Sequence, residues 1–333
     1  MMVFMIISRT PARLPIGGGG TDLPSYYTKY GGFFISAAIN KYFYIAVNKR
    51  FEDQIKVSYF KTEIIDADKV CEIEHPIVRE ALKLLKIRDS IEINSISEVP
   101  SRSGMGSSGS FSVGLLNVLH AYKKQHVSDK KLAEEAFKIE AEILKEPVGK
   151  QDHYIAVFGG ITAFIVDRGG NVKVRPLKLT NGTINELENN ILVFYTGIQR
   201  RASDVLTAQN SSVQKNDKIV LGCLQKIKNI GMNIMDSLKS GDLDNFGELL
   251  NTHWNTKKKM SYKISNDIIN NWYELGMRNG ALGGKLMGAG GGGFLLFYCN
   301  KNKNRLRRVM SKEGLKECPF KFDFEGTKIM VNI

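Results

Sequence analysis

The chain has 333 residues, of which 43% are hydrophobic and 24% charged, with a net charge of +13 and 32 glycines. That composition excludes disordered and fibrous classes and suits one large domain or two of ordinary size. No apolar stretch approaches the ~20 residues of a membrane span, the four scattered cysteines lack a CxxC, and the five histidines lack HExxH spacing, so no membrane partner, zinc site or disulfide framework is expected.

The cysteines read as free thiols of a reducing, cytoplasmic compartment. The apolar run Met1–Ile7 lacks a basic leader and reads as a first strand rather than a signal peptide. Phe33–Asn40, Phe43–Arg50 and Ile55–Phe60 are rich in β-branched and aromatic residues and read as strands separated by turns. His75–Lys86 has helical spacing, and Ser90–Val99 alternates as a strand that Pro100 ends. From Ser110 the spacing of Phe111, Leu115, Val118, Leu119 and Tyr122 predicts a buried helix, and Asp129–Leu144 predicts another with Ser128 as its N-cap. Short strands follow at Thr162–Val166 and Val172–Pro176. The polar, asparagine-rich stretch Thr180–Asn190 reads as a boundary between domains 1–183 and 184–333.

In the second half, a strand at Ile191–Thr196 leads into long helices, then strands at Phe294–Tyr298 and Ile329–Ile333. Strands and helices mix without steady alternation, which favours an α+β fold. Residues 301–321 carry eight Lys/Arg against two acids, and Lys257-Lys258-Lys259 forms a second basic run. Both read as solvated helix faces. The basic segment has neither aromatic stacking platforms nor a marked recognition helix, so no nucleic-acid partner is expected.

Much of the glycine lies in three clusters. The middle one, Pro100-Ser101-Arg102-Ser103-Gly104-Met105-Gly106-Ser107-Ser108-Gly109-Ser110, stands between a strand and a long apolar helix. Inward-turned N–H groups and a helix N-terminus make such a loop a phosphate cradle, and its serine hydroxyls could bond phosphate or ligate Mg²⁺. A Walker A loop is excluded because Ser110 stands where its lysine belongs. Gly104, Gly106 and Gly109 also match a dinucleotide fingerprint, with Asp129 about 20 residues on. Against this, Pro100–Ser103 part the strand from the first glycine, and Asp129 opens a helix.

The first cluster, Gly17-Gly18-Gly19-Gly20-Thr21-Asp22, lies between Pro15 and Pro24 and offers a carboxylate to hydroxyl donors. The third, Gly283 to Phe294, precedes a strand and suggests a loop closing on a ligand. Asp152, after the helix break at Pro147 and Gly149, could accept a substrate proton or cap a helix.

Taken in order, these segments resemble the GHMP kinases, the superfamily of galactokinase, homoserine kinase and mevalonate kinase. The resemblance implies a two-domain α+β fold, with a ribosomal-protein-like N-terminal domain, a ferredoxin-like C-terminal domain and the active site between them. It implies ATP held by Pro100, Ser101, Ser103, Gly104, Met105, Gly106, Ser107, Ser108, Gly109 and Ser110. Mg²⁺ falls to Ser108 and Glu140, catalysis to Asp152 and Arg13, and the acceptor sugar to Gly18, Gly19, Gly20, Thr21 and Asp22. The runs GGGGTDLPSYY, GKQDHY and KLMGAGGGG most closely resemble the D-glycero-D-manno-heptose 7-phosphate kinase branch. That branch implies phosphorylation of the anomeric hydroxyl for surface-glycan synthesis; fucokinase- or galactokinase-like enzymes of unphosphorylated sugars are the nearest alternative. Arg200, Arg201 and Lys285, with Gly290 and Gly291, are candidates to hold the substrate and its phosphate. Homodimerisation stays open.

Overall fold

The structure is a computed structural model that describes residues 5–101, 103–200 and 202–333. The chain opens with β1 (Met5–Gly17), the short helix α1 (Pro24–Tyr30) and an 18-residue strand, β2 (Gly32–Lys49). Strands β3 (Gln54–Ser58) and β4 (Thr62–Asp66), helix α2 (Pro76–Leu84), β5 (Ile91–Ser97) and the long helix α3 (Ser107–Tyr122) follow. Next come α4 (Asp129–Phe137), α5 (Gln151–Phe158), β6 (Ile161–Val166), β7 (Val172–Pro176), α6 (Asn181–Asn190) and β8 (Ile191–Tyr195). The second half adds helices α7 (Ala202–Gln214), α8 (Lys218–Ser240), α9 (Leu243–Lys258) and α10 (Asp267–Arg278). It closes with β9 (Gly283–Leu286), β10 (Phe294–Tyr298), α11 (Lys303–Lys312), β11 (Lys316–Glu317) and β12 (Lys328–Asn332).

The expected break between two strands near residues 40–42 is absent. Strand β2 runs through it, and the register against β1 jumps from Pro11↔Tyr42 to Ala12↔Ile39. Asn40 and Lys41 therefore form a bulge, which bends a strand without ending it. The bend lets β2 serve two partners: its first part pairs with β6 and its last part with β5. The first sheet has eight strands, with β12-β1-β2-β5-β3-β4 along its main path. The second sheet is antiparallel, ordered β11-β8-β10-β9.

The stretch Thr180–Asn190 is not an open linker but carries α6, capped by the Thr180 hydroxyl accepting from Thr183 N at 3.1 Å and anchored by buried Leu187. The final strand, β12, leaves the second half and pairs antiparallel with β1, so residues 328–332 complete the first sheet. One apolar cluster draws Ala12, Leu14 and Phe33 together with Ile191, Ile230, Phe246 and Tyr298, so the halves share a core. Among the described residues no helix is long and apolar enough to cross a membrane.

Candidate active site

The site is a cleft of about 460 Å³ lined by parts of both halves. Strand β1 brings Arg13, which is buried between Ala12 and Leu14. Its Nε and Nη2 stand 2.8 Å from Asp152 Oδ1, and its Nη1 donates to Gly104 O. Its backbone N–H donates to Met105 O at 3.1 Å, so one arginine ties the first strand, the middle glycine loop and α5 together. Asp152 lies in the first turn of α5, and its side chain keeps 31% of its surface exposed, enough to meet a ligand. It is not a helix cap.

The middle loop opens α3 earlier than the apolar spacing indicates. Gly106, with φ +78, occupies the N-cap position, and a Cβ there would stand 3.1 Å from Arg13 Cγ. Gly109 packs on Asp152, where a Cβ would come within 2.7 Å of that residue's own Cβ. Gly104, Gly106, Ser107, Ser108 and Gly109 line the cleft. The other members of the expected nucleotide set face elsewhere. Pro100 and Ser101 are exposed, Met105 belongs to the shared core, Ser103 is buried with an unpartnered hydroxyl, and Ser110 donates to Pro11 O at 2.8 Å. Ser107, Ser108 and Gly109 open α3 at the cleft, whereas the Ser110 hydroxyl is taken up by β1.

Glu140 sits on a π-helical turn, Lys138–Ile143, that continues α4. Such turns reset which side chains share a face. Its carboxylate accepts from Ser108 Oγ, from Ser112 Oγ at 2.6 Å, and from His153 Nε2 at 3.0 Å. Burial alone would raise its pKa. The charge and hydrogen bond of His153, with the two serine hydroxyls, outweigh burial and hold the carboxyl below its ordinary range. His153 is held above the ordinary imidazole range, with burial opposing and Glu140 prevailing.

On the acceptor side, Gly19, Gly20 and Asp22 line the cleft. Asp22 accepts from Gly20 N at 2.9 Å and Gln151 N at 3.0 Å. Burial, with a smaller push from Asp152, raises its pKa against those backbone bonds. Thr21 and Gly18 do not face the cleft. Thr21 Oγ1 lies buried 2.7 Å from Phe33 O and accepts from Phe33 N at 3.1 Å, fastening the loop to β2. Gly18, with φ +74, turns against the Phe33 backbone.

Arg200 lines the cleft, donates through Nη1 to Lys263 O at 2.7 Å and packs over Gly291. Gly290 lines the cleft; Gly291 backs it from behind Arg200. Arg201 lies outside the described residues.

Two residues of α9 were missed by sequence reasoning. Lys257 is not part of a solvated basic face: it is buried, lines the cleft and donates to Gly288 O. Burial and the nearby Arg13, partly offset by Asp22, push its pKa down to about 8. His253, one helical turn earlier, is 1% exposed and also lines the cleft. Lys285 lines the cleft, where its buried ammonium donates to Ile16 O at 3.4 Å. Its pKa lies well below the ordinary lysine value, through burial first and then Lys257 and Arg13. Only the i,i+4 spacing of His253 and Lys257 hints at a common face, and that spacing is frequent in any helix.

Residues 76–160 match the GHMP kinases N-terminal domain and residues 234–315 the GHMP kinases C-terminal domain. A D-glycero-alpha-D-manno-heptose 7-phosphate kinase of Campylobacter jejuni is 30% identical over 97% of this chain and 98% of its own. A galactokinase of Pyrococcus furiosus is 25% identical over 98% of this chain and 97% of its own. The crystal structure of a D-glycero-D-manno-heptose 1-phosphate kinase from Bacteroides thetaiotaomicron superposes with a TM-score of 0.80 at 23% identity, covering 98% of this chain and 99% of that one, which shows a shared fold. With both domains matched in order, and a relative aligned along nearly the whole length, the chain belongs to the GHMP kinase family and is a phosphotransferase with an alcohol group as acceptor.

Proposed function

We propose that the chain transfers the γ-phosphoryl group of ATP to the anomeric hydroxyl of D-glycero-D-manno-heptose 7-phosphate, forming the 1,7-bisphosphate. The observation that carries this reading is the Arg13–Asp152 pair, set in a cleft between a helix N-terminus and the Gly19–Asp22 loop. Phosphoryl transfer asks for positioning and charge neutralisation more than covalent help from the protein. The start of α3, where Gly106, Ser107, Ser108 and Gly109 line the cleft, offers the unpaired N–H groups of a helix N-terminus to an anion. Pro76, Ile77, Leu144 and Val148 give the cleft an apolar wall suited to a nucleoside.

Asp152 accepts the proton of the attacking hydroxyl. Arg13 holds that carboxylate in place and stabilises the negative charge growing on the sugar oxygen. Asp22, its oxygens already anchored to the backbone, keeps acceptor capacity for sugar hydroxyls.

Mg²⁺ fits the Ser108 and Glu140 oxygens, because Glu140 is kept ionised and hard oxygen donors are what the ion takes. Among the described residues no group of three or more His, Cys, Asp or Glu side chains could hold a metal, so the remaining ligands would be phosphate oxygens and water. When bound, the ion neutralises charge between the β- and γ-phosphates. The C. jejuni relative supports the choice of acceptor.

The test is a Mg-ATP coupled assay on heptose 7-phosphate, mannose, fucose and galactose, with the product carbon assigned by phosphorus NMR. Preferred turnover of heptose 7-phosphate at carbon 1 is expected. Turnover confined to an unphosphorylated sugar, or phosphate appearing on another carbon, overturns the reading.

A further inference from the structure

The cleft holds more positive charge than the transfer step requires. Arg13 is neutralised by Asp152, but Lys257 and Lys285 form no ion pair with an acid among the described residues. Each ammonium meets a single backbone carbonyl, Gly288 O for Lys257 and Ile16 O for Lys285. Beside them, His253 is 1% exposed, and both of its ring nitrogens lack a hydrogen-bond partner. A buried imidazole with two orphaned nitrogens is costly unless something arrives to bond it. Two buried, mutually repelling ammonium groups carry the same implication for charge.

The three side chains act on one another. His253 is depressed well below the ordinary imidazole value by burial first, then by Lys285 and Lys257. Buried lysines and histidines left unpaired in this way are expected where an anion completes the cluster, and all three line the same cleft as Asp152.

We infer that His253, Lys257 and Lys285 form a seat for a phosphomonoester on the acceptor, separate from the Gly104–Gly109 loop that receives the nucleotide. The inference rests on the reading of this site as a kinase of a phosphorylated sugar. One contact places the seat on the acceptor's side: Lys285 reaches Ile16 O, directly before the Gly17–Gly20 loop. Lys257 donates to Gly288 O across the same cleft, where Asp22 also lies. The triphosphate already has the start of α3, with its serine hydroxyls and unpaired N–H groups. Two cations and an imidazole supply several donors to the three terminal oxygens of a phosphate.

The experiment compares full-length wild type with Lys257→Met, Lys285→Met and the double variant. Each enzyme is assayed on D-glycero-D-manno-heptose 7-phosphate, on the same heptose without its phosphate, and across ATP concentrations. Methionine keeps most of the length of the side chain and removes the charge. Each single variant is expected to raise KM for heptose 7-phosphate by about 30-fold or more, the lower end of the range for removing one partner of a buried charge pair. KM for ATP should stay within about twofold, and KM for the unphosphorylated heptose should rise far less than KM for heptose 7-phosphate.

A rise in KM for ATP instead would assign the cluster to the nucleotide's phosphates and overturn the inference. So would an equal loss on both heptoses. If wild type prefers the heptose without phosphate, the functional reading and this inference fall together. If wild type prefers heptose 7-phosphate and the double variant keeps that preference, the inference alone falls. A direct check uses inorganic phosphate as probe: it should raise the melting temperature of wild type more than that of Lys257→Met, which keeps only the start of α3 as an anion site. Equal shifts in both would count against the seat even if Lys285→Met fails to fold.

Discussion

At the scale of single residues, the pair to disturb first is Arg13–Asp152. Asparagine at position 152 keeps the shape but accepts no proton, and general-base help is commonly worth 10²–10⁴ in rate. Asp152→Asn should therefore lower kcat by about 10²- to 10⁴-fold while ATP binding, followed by nucleotide titration, changes little. Lys257 supplies a pH signature. Its folded pKa of about 8 lies below the ordinary lysine value, so the folded protein binds fewer protons than the unfolded chain between about pH 8 and 10.5. Stability of the ligand-free enzyme should rise with pH across that window, by roughly 3 kcal/mol from this group. Denaturant titrations of Lys257→Met should lack that rise and show a higher baseline at pH 7. In steady-state kinetics, kcat/KM for a phosphorylated acceptor should fall above about pH 8 in wild type and stay flat in the variant.

At the scale of elements, function depends on glycine where chain segments touch. Gly109 on α3 lies against Asp152 on α5, and Gly104 lies against the turn at Met287 and Gly288 between β9 and β10. Adding a methyl at 109 cannot be absorbed by a flexible tip, because it meets the Cβ and backbone of Asp152. Gly109→Ala should shift the catalytic carboxylate and cost about 10²-fold in kcat, with far-UV circular dichroism unchanged.

These loops were legible in the sequence because clustered glycine is a local signal. Lys257 was not, since Lys257, Lys258 and Lys259 are identical in sequence and only the packing of α9 buries the first of them. His253 was hidden in the same way. Helix α6 escaped because its apolar anchoring is slight, so helical periodicity was absent and its cap was the one local cue. The bulge at Asn40 and Lys41 mimicked a turn because polar residues mark both. For Glu140 the residue was readable but its setting was not, since a π-helical turn has no sequence spacing of its own.

At the scale of the whole molecule, the two halves are not independent. The apolar cluster that joins β1 and β2 to α8, α9 and β10 means that neither half can retain its packing without the other. Strand β12 adds a second tie, covering the free edge of β1 through pairs such as Ile6↔Asn332 and Ile7↔Val331. Removing residues 328–333 should strip that edge and cost on the order of 3–5 kcal/mol, one net hydrogen bond at a time. Urea denaturation would show it as a lower midpoint, and light scattering as self-association through the bared strand. An unchanged midpoint would mean that β12 is only draped on the sheet.

The same strand has a consequence for biosynthesis. During translation the β1 edge waits unpaired while the entire second half is made, and its partner is among the last residues described here. Until then the nascent chain carries an open template for neighbouring polypeptides, for most of the time it spends on the ribosome. Production of this enzyme should therefore be sensitive to chaperone supply and growth temperature even where the finished molecule is robust.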